Sequence, residues 1–449
     1  MNNLTNKQKT RNVMEMKRFL GNIARVFLAT GALSVSTCVG ADENTAGCTT
    51  AAACNTCCGQ PTCEPPVCGW AYNPPAYCRC NNPANSCDAC WSDGLTAHVD
   101  FLWWRAYEEN TALGVEETYS SAVNNGFTGT AARSTVFDTE HVKQLNFKYD
   151  PGFRLGLYEA CSAGCWDLAL DWTHYHTKAT ANGASNPTAT EGAETGTDPV
   201  TVFVPFWDRV DHFGDGSDSA YPDASEGRYT LNMDLIDLSF GRKFYVSSCF
   251  VLRPHFGLRG ARIDQNYRIE SVRDVVGTEV DGESYATEAK LRNDFLAIGP
   301  RLGLDAQIHL GCGLSIFGQA AGSLVFGRFD RHSKEVYDDF AVGVGASVDH
   351  IYYETENSLE RTSRAFTDLT IGFKWERCFE WCNHYHPVTV AFAWEHHAFF
   401  NMNNFNMISS AANVSADDGL TYFNQDTARS NWGGDLYTQG LTVSAAVGF

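Results

Sequence analysis

The chain has 449 residues, with 33 Lys+Arg against 53 Asp+Glu, 39 Gly, 17 Cys and 13% aromatic residues, which excludes collagen, coiled coil and a disordered tail. At 44% hydrophobic residues it can bury a sizeable core, yet no stretch reaches the roughly 18 consecutive apolar residues of a membrane-spanning helix. The formal charge of -20 argues against a nucleic-acid partner, because phosphate binding needs a basic surface.

Residues 1–41 read as an export signal. Lys17 and Arg18 give a charged start, Val26 to Val35 an apolar run, and Val39-Gly40-Ala41 a small-residue cleavage site before Asp42. Met14 and Met16 are alternative starts that leave a signal of ordinary length. Cys38, after Val35-Ser36-Thr37, is a poor match to a lipoprotein acceptor.

Residues 42–90 form a cysteine-rich segment expected in the periplasm. Cys48, Cys54, Cys57, Cys58, Cys63, Cys68, Cys78, Cys80, Cys87 and Cys90 are interleaved with Pro61, Pro65, Pro66, Pro74, Pro75 and Pro83, which forbids a regular helix or strand. In an oxidising compartment such thiols become disulfides, within the chain or between chains. Zinc is the rival reading for Cys54-x-x-Cys57 and Cys87-x-x-Cys90, but one tetrahedral site leaves six cysteines unplaced.

From residue 91 the dominant pattern is period two. Phe147, Tyr149, Pro151, Phe153, Leu155 and Leu157 share one face, and Lys148, Asp150, Gly152, Arg154 and Gly156 the other. Ten such segments are predicted, near 94–107, 144–160, 166–180, 228–246, 250–268, 289–310, 314–331, 360–376, 388–402 and 435–449. The fourth changes phase between Leu235 and Ile236, which calls for a bulge. Connections alternate between short (161–165, 247–249, 311–313, 377–387) and long (108–143, 181–227, 269–288, 332–359, 403–434). That alternation predicts an all-β fold, a transmembrane antiparallel β-barrel of about ten strands, with short periplasmic turns and long external loops. Hydrocarbon offers the backbone no hydrogen-bonding partner, so a spanning sheet must close on itself. Leu441, Val443, Ala445, Val447 and the terminal Phe449 share the face of the last strand, as in the barrels of bacterial outer membranes. A soluble sandwich is the alternative, but loops of more than 30 residues are uncommon in compact domains.

With the strands placed, Cys161, Cys165, Cys249, Cys312, Cys378 and Cys382 all fall in short connections, on the side of the cysteine-rich segment. Local bridges and covalent links to other envelope proteins or to another copy are both open. Residues 181–227 carry nine acidic residues against Arg209, so the outer mouth is negative, through simple solvation or mild attraction of cations. The apolar stretch 201–207 is expected to fold into the lumen, add a strand pair or contact another subunit.

No G-x-S-x-G elbow, H-E-x-x-H helix or P-loop is present, and no cofactor, metal or catalytic residue is proposed. Of the histidines 384, 386, 396 and 397, His386 and His396 stand roughly 33 Å apart along a strand and cannot share an ion. A rim enzyme built on His174, His176 and loop acids is the remote alternative. The wet strand faces supply the pore-lining candidates Arg154, Asp171, Arg253, His255, Arg259, Arg301, Asp305, His309, Lys374 and Glu395. Mixed charges of this kind filter ions in an open lumen or pair up to fill a narrow one.

The segments Asp100-Phe-Leu-Trp-Trp-Arg-Ala-Tyr, Gly152-Phe-Arg-Leu-Gly-Leu-Tyr and Gly440-Leu-Thr-Val-Ser-Ala-Ala-Val-Gly-Phe resemble the Legionella-type major outer-membrane protein family, including its members in chlamydia-related bacteria. The resemblance covers residues 91–449. It implies a porin for small hydrophilic solutes or ions, in contact with outer-membrane lipids. Chlamydial major porins also belong to disulfide-linked envelopes, whereas the cysteine-rich segment departs from the Legionella pattern. The alternative is a plugged structural or adhesive barrel of a cross-linked envelope.

Overall fold

The computed structural model describes residues 94–122, 134–160, 166–185, 200–206, 222–246, 250–274, 284–311, 313–340, 348–381, 384–415, 422–431 and 433–449. The export signal, the cysteine-rich segment and Cys161, Cys165, Cys249, Cys312 and Cys382 lie outside the described residues. In chain order the strands are β1 (Gly94–Glu108), β2 (Gly114–Ala122), β3 (Ser134–Lys143), β4 (Asn146–Phe147), β5 (Tyr149–Ala160), β6 (Trp166–Ala184), β7 (Val200–Pro205), β8 (Ala224–Arg242) and β9 (Phe244–Tyr245). They continue with β10 (Phe250–Asp274), β11 (Ser284–Gly311), β12 (Leu314–Phe340), β13 (Val348–Trp381), β14 (His384–Asn403), β15 (Asn406–Ser415), β16 (Tyr422–Asn431) and β17 (Gly434–Gly448).

Ten of them close an antiparallel cylinder in the order β11, β12, β13, β14, β17, β1, β5, β6, β8, β10 and back to β11. Closure joins the first strand to the last, with Phe101 opposite Val443. The Phe449 amide donates to the Leu95 carbonyl at 2.9 Å, so β1 begins and the chain ends at the short-turn rim. A closed ladder leaves no barrel strand with an unpaired edge facing lipid.

The outward face of the lower barrel is apolar: Val99, Phe101, Leu155, Leu258, Ile298, Leu302, Phe326, Ile371 and Leu441 are all large and exposed. This band lies next to the short-turn rim. Further out the pattern inverts without changing phase. On β8, Ile236, Leu238 and Phe240 face out below, while Asp234, Asn232, Thr230 and Arg228 face out above. The inward residues invert too, from Asp237 and Ser239 below to Leu235, Met233, Leu231 and Tyr229 above. No bulge is present at Leu235/Ile236, because β8 pairs with β10 in unbroken register from Ala224 to Gly241. Side-chain parity is fixed by the pleat, and it is the surroundings that exchange places: lipid outside and water inside become water outside and a dry core inside.

The same inversion lengthens the strands. The expected loops 269–288 and 332–359 are largely ladder, since β10 to β13 run for 25, 28, 27 and 34 residues, against the roughly 9–11 that cross a membrane. At the opposite rim β13 reaches Trp381, so Cys378 lies in a strand opposite Pro387 and not in a connection. Phe147 departs from the lipid face as well: it belongs to β4, is 2% exposed and packs edge-on against Tyr229 inside. The apolar stretch 201–207 contributes β7, which pairs with β2 in a three-stranded sheet with β3 and buries Phe203 in the core.

These environments predict sharply different costs for one kind of change. Leu304→Arg, in the lipid band, should destabilise by about 2–4 kcal/mol, Asn266→Arg, outward on β10 above it, by less than about 0.5 kcal/mol, and Phe295→Ala, inward above it, by about 3–5 kcal/mol. Equilibrium unfolding from lipid vesicles checks the order.

Candidate functional site

All ten sequence-proposed lumen residues face inward and line one polar cavity of about 550 Å³ in the lower half of the barrel. Sequence reading missed several of its other members, among them Asp100, Asp237, Asp368 and His397, and also Asp167, a partner of Arg253; these complete the charge pairs.

Across the top of this chamber runs a continuous ion-pair belt. The Arg154 guanidinium on β5 donates to both Glu395 carboxylate oxygens at 3.1 and 2.7 Å, to Asp100 at 3.1 Å and to the Thr173 hydroxyl at 3.0 Å. His397 joins Glu395 (3.1 Å) to Asp368 (2.7 Å) through its two ring nitrogens, a geometry that suits the doubly protonated imidazolium. Asp368 is shared by Arg301 and Arg259, and Arg259 grips Asp237 with two bonds of 2.6 Å. The belt thus ties together strands β1, β5, β6, β8, β10, β11, β13 and β14. Below it, Arg253 bridges Asp167 and Asp305, with His255 3.5 Å from Asp305. His98 pairs with Asp171 at 3.0 Å, and Lys374 with Glu376 at 2.7 Å, near His309. Bidentate Arg–carboxylate pairing satisfies several lone pairs at once, which is what makes buried charge tolerable.

Above the belt the lumen is filled. Trp104 rests on it, 5.8 Å from the Arg154 guanidinium and 4.7 Å from the His397 ring. Over Trp104 pack Tyr175, Tyr229, Tyr267, Phe295, Phe329 and Phe399, each 1% exposed or less. Residues beyond the lipid band close the stack from above: Leu113, Phe203 on β7, Met402 at the end of β14 and Phe405 are equally buried. Gly183 and Gly114 make room for the Phe203 ring, since a Cβ at either would lie within 2.5 Å of ring carbons.

One carboxyl sits inside this dry stack. Glu108, at the outer end of β1 beyond the lipid band, is 2% exposed. It accepts hydrogen bonds from the Tyr229 hydroxyl and from Gln265 Nε2 at 2.6 Å. Gln265 in turn accepts from Asn293, which also donates to the Met402 carbonyl at 2.9 Å. Both partners of Glu108 are neutral, and among the described residues no ion pair reaches it. Burial therefore outweighs the two bonds and pushes its carboxyl up to about 8. In sequence it looked like the first loop residue; its parity with Asp100, Leu102, Trp104 and Ala106 was the available signal.

The other sequence candidates are not brought into a site. His174 pairs with Asp234 at 2.8 Å on the outer wall beside Trp172, and His176 with Asn232 at 2.6 Å. They face away from the lumen. His396 and His397 point to opposite faces, and among the described residues no group of three or more His, Cys, Asp or Glu is arranged to hold a metal ion.

A closed cylinder with an apolar waist and a charged interior, whose first strand begins and last strand ends at the short-turn rim, is an outer-membrane β-barrel. The chain belongs to the family described as Legionella pneumophila major outer membrane protein precursor, whose model matches residues 88–442. No curated protein matches it. Among solved structures it is similar to the outer-membrane protease OmpT of Escherichia coli (11% identity, TM-score 0.30, covering 80% of this chain and 98% of that one). It is also similar to the toluene transporter TodX of Pseudomonas putida (10%, 0.28, 82% and 93%) and to a Pseudomonas aeruginosa FadL homologue (8%, 0.23, 82% and 92%). Similarities this distant carry no argument about activity.

The raised Glu108 carboxyl makes stability pH-dependent. The folded state holds this proton up to about pH 8, whereas the unfolded chain releases it near the ordinary value of 4.5. Stability should therefore fall as pH rises from about 4.5 to about 8 and level off above, a loss on the order of 5 kcal/mol. Glu108→Gln should remove this component. Unfolding midpoints across pH 4–9 for both proteins measure it, and parallel curves would contradict it.

Proposed function

We propose that this protein is a sealed barrel of the outer membrane with a structural role in the envelope, not a standing-open porin. The aromatic stack above the ion-pair belt carries this reading. Eleven large side chains there are fully buried, and each contributes about 1.5–3 kcal/mol by leaving water. Hydrating even half of them costs on the order of 10 kcal/mol, far above what side-chain fluctuation supplies. The belt is a second barrier in series.

The cysteines fit this role. The segment 42–90 leads into Gly94 at the short-turn rim, where the chain also ends. Disulfides formed there tie the barrel to neighbouring envelope proteins or to further copies, beneath the membrane.

A second reading is a porin whose outer seal opens, and the polar chamber of about 550 Å³ favours it. In that reading the lower charges select small hydrophilic solutes or ions. Both readings are non-enzymatic, which the outward position of the His174–Asp234 pair, away from the lumen, supports.

Planar-bilayer recording of the purified, folded full-length protein separates the two. The sealed barrel gives no reproducible conductance steps, whereas steady open steps at low voltage would establish the porin. Migration with and without reductant tests the envelope links, and an unchanged monomer band would remove them.

A further inference from the structure

The outer wall above the lipid band carries charge in transverse rows. Arg228 on β8 is opposite Arg268 on β10, Arg268 is opposite Lys290 on β11, and Lys290 is opposite Lys334 on β12. Four cationic residues thus occupy one outward row, about 14 Å long at the ~4.8 Å spacing of neighbouring strands. The next row outward is acidic, with Glu226 opposite Glu270 and Glu270 opposite Glu288. Like charges set directly opposite each other weaken a sheet, and here only the acidic row next to the cationic one offsets that repulsion. The ion pairs run between the two rows, both along each strand and diagonally across strands, where Arg268 also meets Glu288 and Arg228 lies 3.9 Å from Glu270. Arg228 reaches Glu226 at 2.7 Å, and Lys290 and Arg268 reach their own neighbours Glu288 and Glu270. Such pairs are exposed and weak, and Arg228 and Lys290 are about half exposed.

Height identifies what this row meets. The outward apolar run on β10 ends at Gly260, and Arg268 lies eight residues further, about 26 Å along the strand and about 20 Å in height at the usual 35–45° tilt. A phospholipid headgroup layer is only about 5–8 Å thick, so phosphates at the height of this row must be carried on an extended, sugar-bearing head. Arg262 and Arg328, two residues beyond the lipid edge on β10 and β12, stand at the lower level where the anchor of such a lipid carries its own anionic groups. A second copy is a poor occupant. Two barrels in one membrane share one height, so a symmetric contact through this face sets its cationic row against itself.

We propose that the β8–β12 outer wall binds a phosphorylated glycolipid of the outer leaflet, with Arg228, Arg268, Lys290 and Lys334 engaging phosphates on its sugars. The four-cation row, with Arg262 and Arg328 lower down beside their own aspartates, suits a ligand with anionic groups at its base and further up its head. This rests on the wall's position above the lipid band and not on whether the lumen is open.

The test uses the full-length protein in detergent and a phosphorylated lipo-oligosaccharide, with its enzymatically dephosphorylated form and phosphatidylglycerol as competitors. The wild type should bind the phosphorylated form about tenfold or more tightly than either competitor, at roughly 1 kcal/mol per engaged cation. The double variant Glu288→Lys with Lys290→Glu keeps the ion pair on its strand and the net charge, so it preserves folding while breaking the row. It should lose about tenfold in affinity for the phosphorylated form. Equal binding of the dephosphorylated lipid, or equal competition by phosphatidylglycerol, overturns the proposal. So does a folded double variant that binds like the wild type.

Discussion

A strand has two faces and cannot exchange them without a bulge, and every other feature of this barrel follows from that parity. Hydrocarbon demands a closed ladder and an oily outward face. Where the ladder rises out of the membrane, the outward residues meet water and become charged, as at Asp234 and Arg228, while the inward residues on the same strand become apolar, as at Met233 and Tyr229. The molecule is therefore a membrane barrel below and a soluble-type barrel with a dry core above, and the β8–β10 and β10–β11 ladders run through both without a break in register.

The ion-pair belt sits where the two regimes meet. Charges facing a wet lumen need no fixed partner, but those roofed by Trp104 lose water on one side and must be satisfied by each other. That explains why Arg154, Arg259 and Arg301 are each held by carboxylates from other strands, and why His397 lies between two of them. Removing one partner from such a set leaves an uncompensated charge, at a cost of about 3–5 kcal/mol. Glu108 is the exception that measures how dry the upper core is: two neutral donors do not offset its burial.

The ten barrel strands were legible in the sequence because period-two alternation is a local signal, and the lipid face announces itself in runs such as Leu302, Leu304, Ile308 and Leu310. The inversion was harder to read. Where apolar residues moved from even to odd positions on β8, the pattern looked like a phase change at Leu235/Ile236, although only the surroundings had changed. The inward candidates were legible for the same reason as the strands. Their pairing was not, because Arg154 and Glu395 are 241 residues apart and only closure of the cylinder brings them together. The seal was invisible for a further reason: Phe203 and Phe405 lie in segments read as external loops, and nothing local says that they fold inward.

Hydroxyl-radical footprinting of the native, folded protein read by mass spectrometry tests the dry upper core most directly, because methionine and aromatic side chains are intrinsic reporters of water. Met233, Met402, Phe295 and Phe329, all buried in the outer half of the lumen, should be protected relative to the unfolded chain, while the outward Tyr107 and Tyr437 are oxidised. Rapid oxidation of Met233 and Met402 in the folded barrel would mean that water fills the upper lumen, and the account would fail.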